Sequence, residues 1–214
     1  MKRGGGKAKG SAFERTVGAI LTGCYYPDGD GLFRRIYSHP IPRKDEVRGD
    51  LVALRYYKFQ DSQLEDCQLI LDKSFPFCIE CKNYKDVRPV FSGLYSSQSA
   101  IFDWMQQSRV VADIEKKMPL VVFKLYRTAI VAMLDRKDFT GLQELFGLPG
   151  FVFYVLTWRA QLCKDPIISA GSEAERTLVF MLLSDLLEWI DWGVYKISDT
   201  RKYIRSLLPK REGG

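Results

Sequence analysis

An acid and a base two residues apart, Glu80 and Lys82, stand in the run Pro76-Phe77-Cys78-Ile79-Glu80-Cys81-Lys82-Asn83-Tyr84. The run reads as a β-strand. Side chains alternate along a strand, so Cys78, Glu80 and Lys82 share one face and Phe77, Ile79 and Cys81 the other. Burying the apolar set leaves a carboxylate and an ammonium projecting together. Thirty positions upstream, Gly49-Asp50-Leu51-Val52-Ala53-Leu54 sets another carboxylate at the start of an apolar strand. Two carboxylates can hold Mg²⁺, and a lysine beside them can position or activate an attacking water. That is the equipment for metal-dependent hydrolysis of a phosphodiester. The plainer alternatives are a turn role for Asp50 and a surface Glu80–Lys82 ion pair worth less than about 1 kcal/mol. Apolar neighbours on both sides make a charged pair costly here unless it has a task.

The elements that must carry these residues follow from periodicity and punctuation. Ser11-x-x-Glu14 has the form of a capping box opening a helix with Val17, Ile20 and Leu21 on one face. The cluster Pro27-Asp28-Gly29-Asp30-Gly31 breaks the chain. Strands are predicted over 32–38 and 50–58, joined by a loop bearing Arg43, Lys44 and Arg48. Residues 67–71 and 75–82 read as paired strands, and 92–115 as a long helix. Strands over 119–125 and 128–134, a short helix over 138–146 and a strand over 151–158 come next. Residues 171–191 read as a helix whose opening, Ser172-Glu173-Ala174-Glu175-Arg176-Thr177, echoes Ser11-Ala12-Phe13-Glu14-Arg15-Thr16. A last helix is predicted over 198–208. This order describes an α/β domain with a mixed central sheet flanked by helices and a C-terminal helical extension. The expected division is a flexible basic arm over 1–10, a main domain over 11–165 and the extension over 166–214.

Composition narrows the partners. The 214 residues carry a net charge of +6, with 46% hydrophobic and 27% charged residues, as in a globular domain that meets an acidic partner. The surplus is concentrated at the ends, in Lys2, Arg3, Lys7 and Lys9 and in Arg201, Lys202, Arg205, Lys210 and Arg211. No apolar run approaches the roughly 20 residues of a membrane span, and the basic N-terminus lacks the apolar stretch of a secretory signal. Five cysteines form no even framework. Cys78 and Cys81 have a CxxC spacing, but strand alternation separates them, so reduced thiols in a cytoplasmic protein are expected. A single histidine, His39, leaves little material for a His-based metal site or a Ser-His-Asp triad.

In their order, Asp50, Glu80 and Lys82 resemble the core of the PD-(D/E)xK nuclease superfamily, whose fold is restriction-endonuclease-like. Gly49 stands where that pattern has Pro. The stretch Gly6-Lys7-Ala8-Lys9-Gly10-Ser11-Ala12-Phe13-Glu14-Arg15-Thr16-Val17 resembles the opening of archaeal and phage-type Holliday junction resolvases, where the first helix bears a metal-site Glu. Gln98 and Trp104-Met105-Gln106-Gln107 are similar to a Gln- and Trp-bearing helix in such nucleases. The resemblance implies a Mg²⁺-dependent DNA endonuclease, with Mn²⁺ able to substitute. Asp50, Glu80 and the backbone carbonyl of Cys81 are its metal ligands, assisted by Glu14. Lys82 orients the nucleophile, and Gln98 contacts the water or a phosphate. Lys7, Lys9, Ser11, Arg15, Arg43, Lys44, Lys85 and Arg88 are candidate DNA contacts. A homodimer acting on four-way junctions in a prokaryotic cell or phage-infected host is expected. A repair or restriction-type duplex nuclease, and an inactive basic DNA-binding or scaffold protein, are the alternatives. For Glu14 the alternative is a helix cap, for Gln98 a surface residue, and for the basic residues an ordinary charged loop.

Overall fold

A computed structural model describes residues 5–36, 49–58, 67–85, 99–125, 127–159 and 175–196. Helix α1, Gly5–Tyr25, forms because Phe13, Val17, Leu21 and Tyr25 recur every fourth residue as one buried stripe. It starts six residues before the expected cap at Ser11. Lys7, Ala8 and Lys9 are good helix formers and extend it N-terminally, so part of the anticipated arm is helical and Ser11 lies inside the helix.

Eight strands among the described residues form one mixed sheet: β1 (Gly31–Arg35), β2 (Leu51–Lys58), β3 (Cys67–Leu71), β4 (Phe77–Tyr84), β5 (Met118–Leu125), β6 (Ile130–Asp135), β7 (Tyr154–Arg159) and β8 (Glu175–Leu182). The order is β1-β2-β4-β5-β6-β8-β7, with β3 on β2. Strand β4 meets the start of β2 at Leu51↔Ile79 and runs parallel to β5 from Phe77↔Met118 to Tyr84↔Leu125. A parallel pair needs a crossover, and α2 (Ala100–Glu115) lies between β4 and β5 in the chain. The remaining helices are α3 (Arg136–Phe146), α4 (Leu183–Trp189) and α5 (Trp192–Lys196).

Each face of the sheet has its own core. Phe77, Ile79, Cys81, Leu120 and Val122 pack with Phe13 and Val17 of α1, Phe139 and Leu142 of α3, and Leu183 and Leu186 of α4. On the opposite face Val121, Phe123, Leu125 and Met133 pack with Ile101, Phe102, Trp104 and Met105 of α2. Helices on both faces of a mixed sheet make this an α/β, restriction-endonuclease-like fold.

Two local expectations are corrected. Strand β3 pairs antiparallel with β2, from Leu54↔Leu71 to Lys58↔Cys67, and not with β4. The turn after β3 does not fold it onto β4, because β2 diverges from β4 after Leu51 and opens its own edge to β3. Residues 175–182 are a strand, and helix begins only at Leu183. Leu178 enters the α2-side core while Val179 and Met181 enter the other, a two-residue alternation imposed by ladders to both β6 and β7. Tertiary pairing there overrides a helix-like spacing of apolar residues. The predicted helix over 198–208 lies outside the described residues.

Candidate active site

The site grows from the alternation of β4. Phe77, Ile79 and Cys81 point into the α1-side core at 9% exposure or less. That parity turns Glu80 and Lys82 to the α2 side, beside Val121 and Phe123 of β5. Lys82 Nζ donates to Glu80 Oε1 at 2.6 Å and to Gln107 Oε1 of α2 at 3.1 Å. Ser108 Oγ, next on the helix, donates to the Cys78 carbonyl at 3.4 Å.

Asp50 reaches this strand because Gly49 lets the chain approach it. A Cβ at position 49 would stand 2.4 Å from the Ile79 carbonyl oxygen, so a side chain there forces the two strands apart. With glycine, Asp50 N donates to Ile79 O at 2.7 Å, and Asp50 Oδ2 accepts from Cys81 N at 2.7 Å. The carboxylate is thereby latched to the backbone of the Glu-x-Lys strand. Glycine at position 49 is what this close approach of backbone to backbone permits.

The electrostatics of Asp50 are adverse. Burial, then the charge of Glu80 and more weakly that of Glu14, push its carboxyl up to about 6. The Cys81 N–H and, more weakly, the Lys82 ammonium oppose the shift without cancelling it. Burial beside Asp50, Glu14 and Glu80 raises the Cys81 thiol far above its ordinary range, and burial pushes Cys78 up to about 12. Both are buried free thiols, and a thiol kept protonated is a poor zinc ligand or nucleophile. Along β4 the two thiols have opposite parity, and Cys81 packs into the α1-side core without Cys78.

Glu14 has a partner that its sequence neighbourhood did not suggest. Its carboxylate is bound by Arg35 Nε, and Arg35 Nη2 donates to Ser11 Oγ at 2.9 Å. Ser11 and Glu14 are thus joined through a side chain of β1, not as a capping box. Arg35 has the parity of the core-facing Phe33. A charged residue on the inward parity of a strand was the signal that could have found it. Gln107 was equally readable only as one of two adjacent helix glutamines; its contact with Lys82 depends on how α2 lies across β4.

The other candidates divide by position. Arg15 and Lys85 are exposed. Lys7 and Lys9 fall in the first turns of α1, with side chains outside the described set. Gln98, Arg43, Lys44, Arg88 and His39 lie outside the described residues. Among the described residues no group of three or more His, Cys, Asp or Glu side chains forms a ready metal cage. Glu80 is turned to Lys82 and Glu14 to Arg35. The donor set nevertheless suits a hard cation that keeps several of its own waters. It consists of oxygen ligands, with Asp50 under like-charge pressure from two other acids.

Fold and residues together define a PD-(D/E)xK nuclease. The family model described as "Phage putative PDDEXK endonuclease" matches residues 5–146, from α1 through α3, and the chain belongs to that family of endonucleases. No curated protein and no solved structure matches the chain significantly.

Proposed function

We propose that this chain is a Mg²⁺-dependent, structure-selective DNA endonuclease that resolves four-way junctions by symmetric nicks. The observation that carries the reading is the Asp50 carboxylate, held against Cys81 N at 2.7 Å beside Glu80 and pushed to about 6 by burial and neighbouring acids. Acids gathered without enough fixed positive charge favour a cation among them. Asp50, Glu80 and the Cys81 carbonyl are the groups to hold Mg²⁺, with Glu14 as a further oxygen donor once released from Arg35. Bound there, the ion supplies charge neutralisation at the scissile phosphate and lowers the pKa of a coordinated water. Lys82 directs its ammonium at the nucleophile and the phosphate oxygens, and Gln107 keeps that ammonium from swinging away.

Two nicks placed symmetrically require two sites related by a two-fold axis, so the working form is a homodimer. Basic residues, among them Lys85 and Arg15, track phosphates and make binding strongly salt-dependent. Among the described residues no helix is long and apolar enough to cross a membrane, and action in the cytoplasm of a prokaryotic or phage-infected cell fits that reading.

The deciding experiment offers a synthetic four-way junction and its linear duplex arms with Mg²⁺ or Mn²⁺ and maps the nicks. Paired nicks confined to the junction support the proposal. Equal cutting of the duplex indicates a repair or restriction-type enzyme. No cutting with either metal leaves a DNA-binding or scaffold protein.

A further inference from the structure

The face of β4 that carries Glu80 and Lys82 continues past the lysine. Tyr84 is the next residue of that parity, roughly 7 Å further along the strand. It is 39% exposed, yet its ring lies 4.9 Å from that of Trp104 at an angle of 34°. Trp104 is 4% exposed and rests 5.8 Å from Phe123, which meets Phe180 at 6.3 Å. Tyr84 is thus the open end of an aromatic column rooted in the core. Helix α2 braces the whole row in antiparallel order, with Ser108 at Cys78, Gln107 at Lys82 and Trp104 at Tyr84. Gln107 and Trp104 are three residues apart and so lie on one helix face. One helix surface therefore fixes both the lysine and the tyrosine. A ring already supported by a buried tryptophan gives up little rotamer freedom when something stacks on its exposed side.

We propose that Tyr84 is a stacking platform for an unpaired nucleobase next to the scissile phosphate, and so a determinant of structure selectivity. This rests on the endonuclease reading above and specifies the feature of DNA it recognises. In continuous duplex each base face is covered by its neighbours, and presenting one to Tyr84 demands unstacking. At a branch, bulge or gap a base face is open, and stacking on an aromatic ring is tolerant of sequence. The platform thus rewards broken stacking beside the cut without reading which base is present.

The test compares one scissile sequence embedded in full duplex, beside a single unpaired base and in a four-way junction. The proteins are wild type, Tyr84→Phe, Tyr84→Trp and Tyr84→Leu. The ratio of kcat/KM on unpaired or branched DNA to that on duplex falls about tenfold in Tyr84→Leu, mainly through KM, and is kept by Tyr84→Phe and Tyr84→Trp. A binding readout runs in parallel. 2-Aminopurine at the unpaired position is quenched by Lys82→Ala protein and not by Lys82→Ala/Tyr84→Leu. Should Tyr84→Leu fail to fold, 5-iodouracil at that position is photo-crosslinked to the otherwise wild-type chain. An adduct on Tyr84 supports the platform, and adducts confined to other residues overturn it. An unchanged cleavage ratio in folded Tyr84→Leu also overturns it and leaves the endonuclease reading standing. If wild type cuts nothing, that reading falls, and the quenching and crosslinking still decide whether Tyr84 receives a base.

Discussion

Two aspartates near β2, one buried and one half-buried, live in opposite surroundings. Asp72, just past β3 and 6% exposed, accepts from Ser74 N at 2.8 Å, from Ser74 Oγ and from Tyr26 OH at 2.8 Å, and pairs with Arg55 Nη2 at 3.2 Å. Burial raises its pKa most strongly, but the Ser74 and Tyr26 donors and the Arg55 charge together hold it below the usual carboxylate range. Asp50, just before β2, accepts one hydrogen bond among the described residues, from Cys81 N, and faces Glu80 and Glu14. One acid has every partner supplied by the fold. The other is held in place and left short of positive charge. Burial and two neighbouring acids leave the second carboxyl with a raised pKa, surroundings that a bound cation would relieve.

The largest effects should fall on the second aspartate's neighbourhood. Asp50→Asn, Glu80→Gln and Lys82→Ala should each lower single-turnover cleavage by about a thousandfold or more while leaving junction affinity at low salt within a few-fold. Cleavage by all three at wild-type rates would falsify the assignment. The contrasting change is Asp72→Ala, which leaves Ser74, Tyr26 and Arg55 facing a void. It should cost about 2–4 kcal/mol in denaturant unfolding, with the cleavage rate per folded molecule unaltered. If Asp72→Ala unfolds no more easily than wild type, the donors around it are not the source of its low pKa.

The sign of pH dependence separates the two acids further. For Asp72 the folded pKa is depressed, so its stabilisation is present above the ordinary value of 3.8 and is lost as pH falls through the folded pKa. For Asp50 the folded pKa is raised. The native state keeps a proton that the unfolded chain loses, and stability contributed by that proton disappears as pH rises from 3.8 to about 6. The ionised group then costs about 2–3 kcal/mol at neutral pH without metal. Asp50→Asn removes that cost and keeps an oxygen for Cys81 N. It should therefore raise metal-free stability at pH 7 by about 2 kcal/mol, and by almost nothing at pH 3.5. Added Mg²⁺ should stabilise wild type and not this variant. A melting series across pH, with and without Mg²⁺, measures all of it; destabilisation by Asp50→Asn at pH 7 would contradict the strained-acid account.

Much of this contrast was legible before any coordinates, and the illegible part has a physical reason. The two-residue period of β4 told which of its side chains are buried, and apolar runs on either side of Asp50 and Glu80 made neighbouring strands the economical arrangement. The α1 stripe likewise follows from four-residue spacing. What sequence could not reveal were contacts between elements distant in the chain. Arg35 meeting Glu14 depends on β1 lying under α1, and the local Ser-x-x-Glu pattern pointed instead to a cap. Strand β8 owes its conformation to the two strands beside it. The bonds of Asp72 to Tyr26, just past α1, and to Arg55 of β2 likewise join elements distant in the chain.

The choice of glutamine is the finest version of the same problem, and it sets the smallest prediction. Sequence singled out Gln98, which lies outside the described residues, whereas Gln107 accepts from Lys82 Nζ at 3.1 Å. The other acceptor of that ammonium, Glu80 Oε1 at 2.6 Å, is also a candidate metal ligand. In the proposed site, a cation held by Glu80 would leave Gln107 as the neutral acceptor that keeps Lys82 in place. Losing it should let the lysine sample other rotamers without altering its charge. Gln107→Leu should therefore lower kcat about tenfold with KM and Mg²⁺ affinity little changed, the scale of one hydrogen bond. Gln107→Glu should instead hold the ammonium with a charged acceptor and keep kcat within a few-fold of wild type. If Gln107→Leu matches wild type in kcat, α2 merely covers the sheet at this point, and the lysine is positioned from β4 alone.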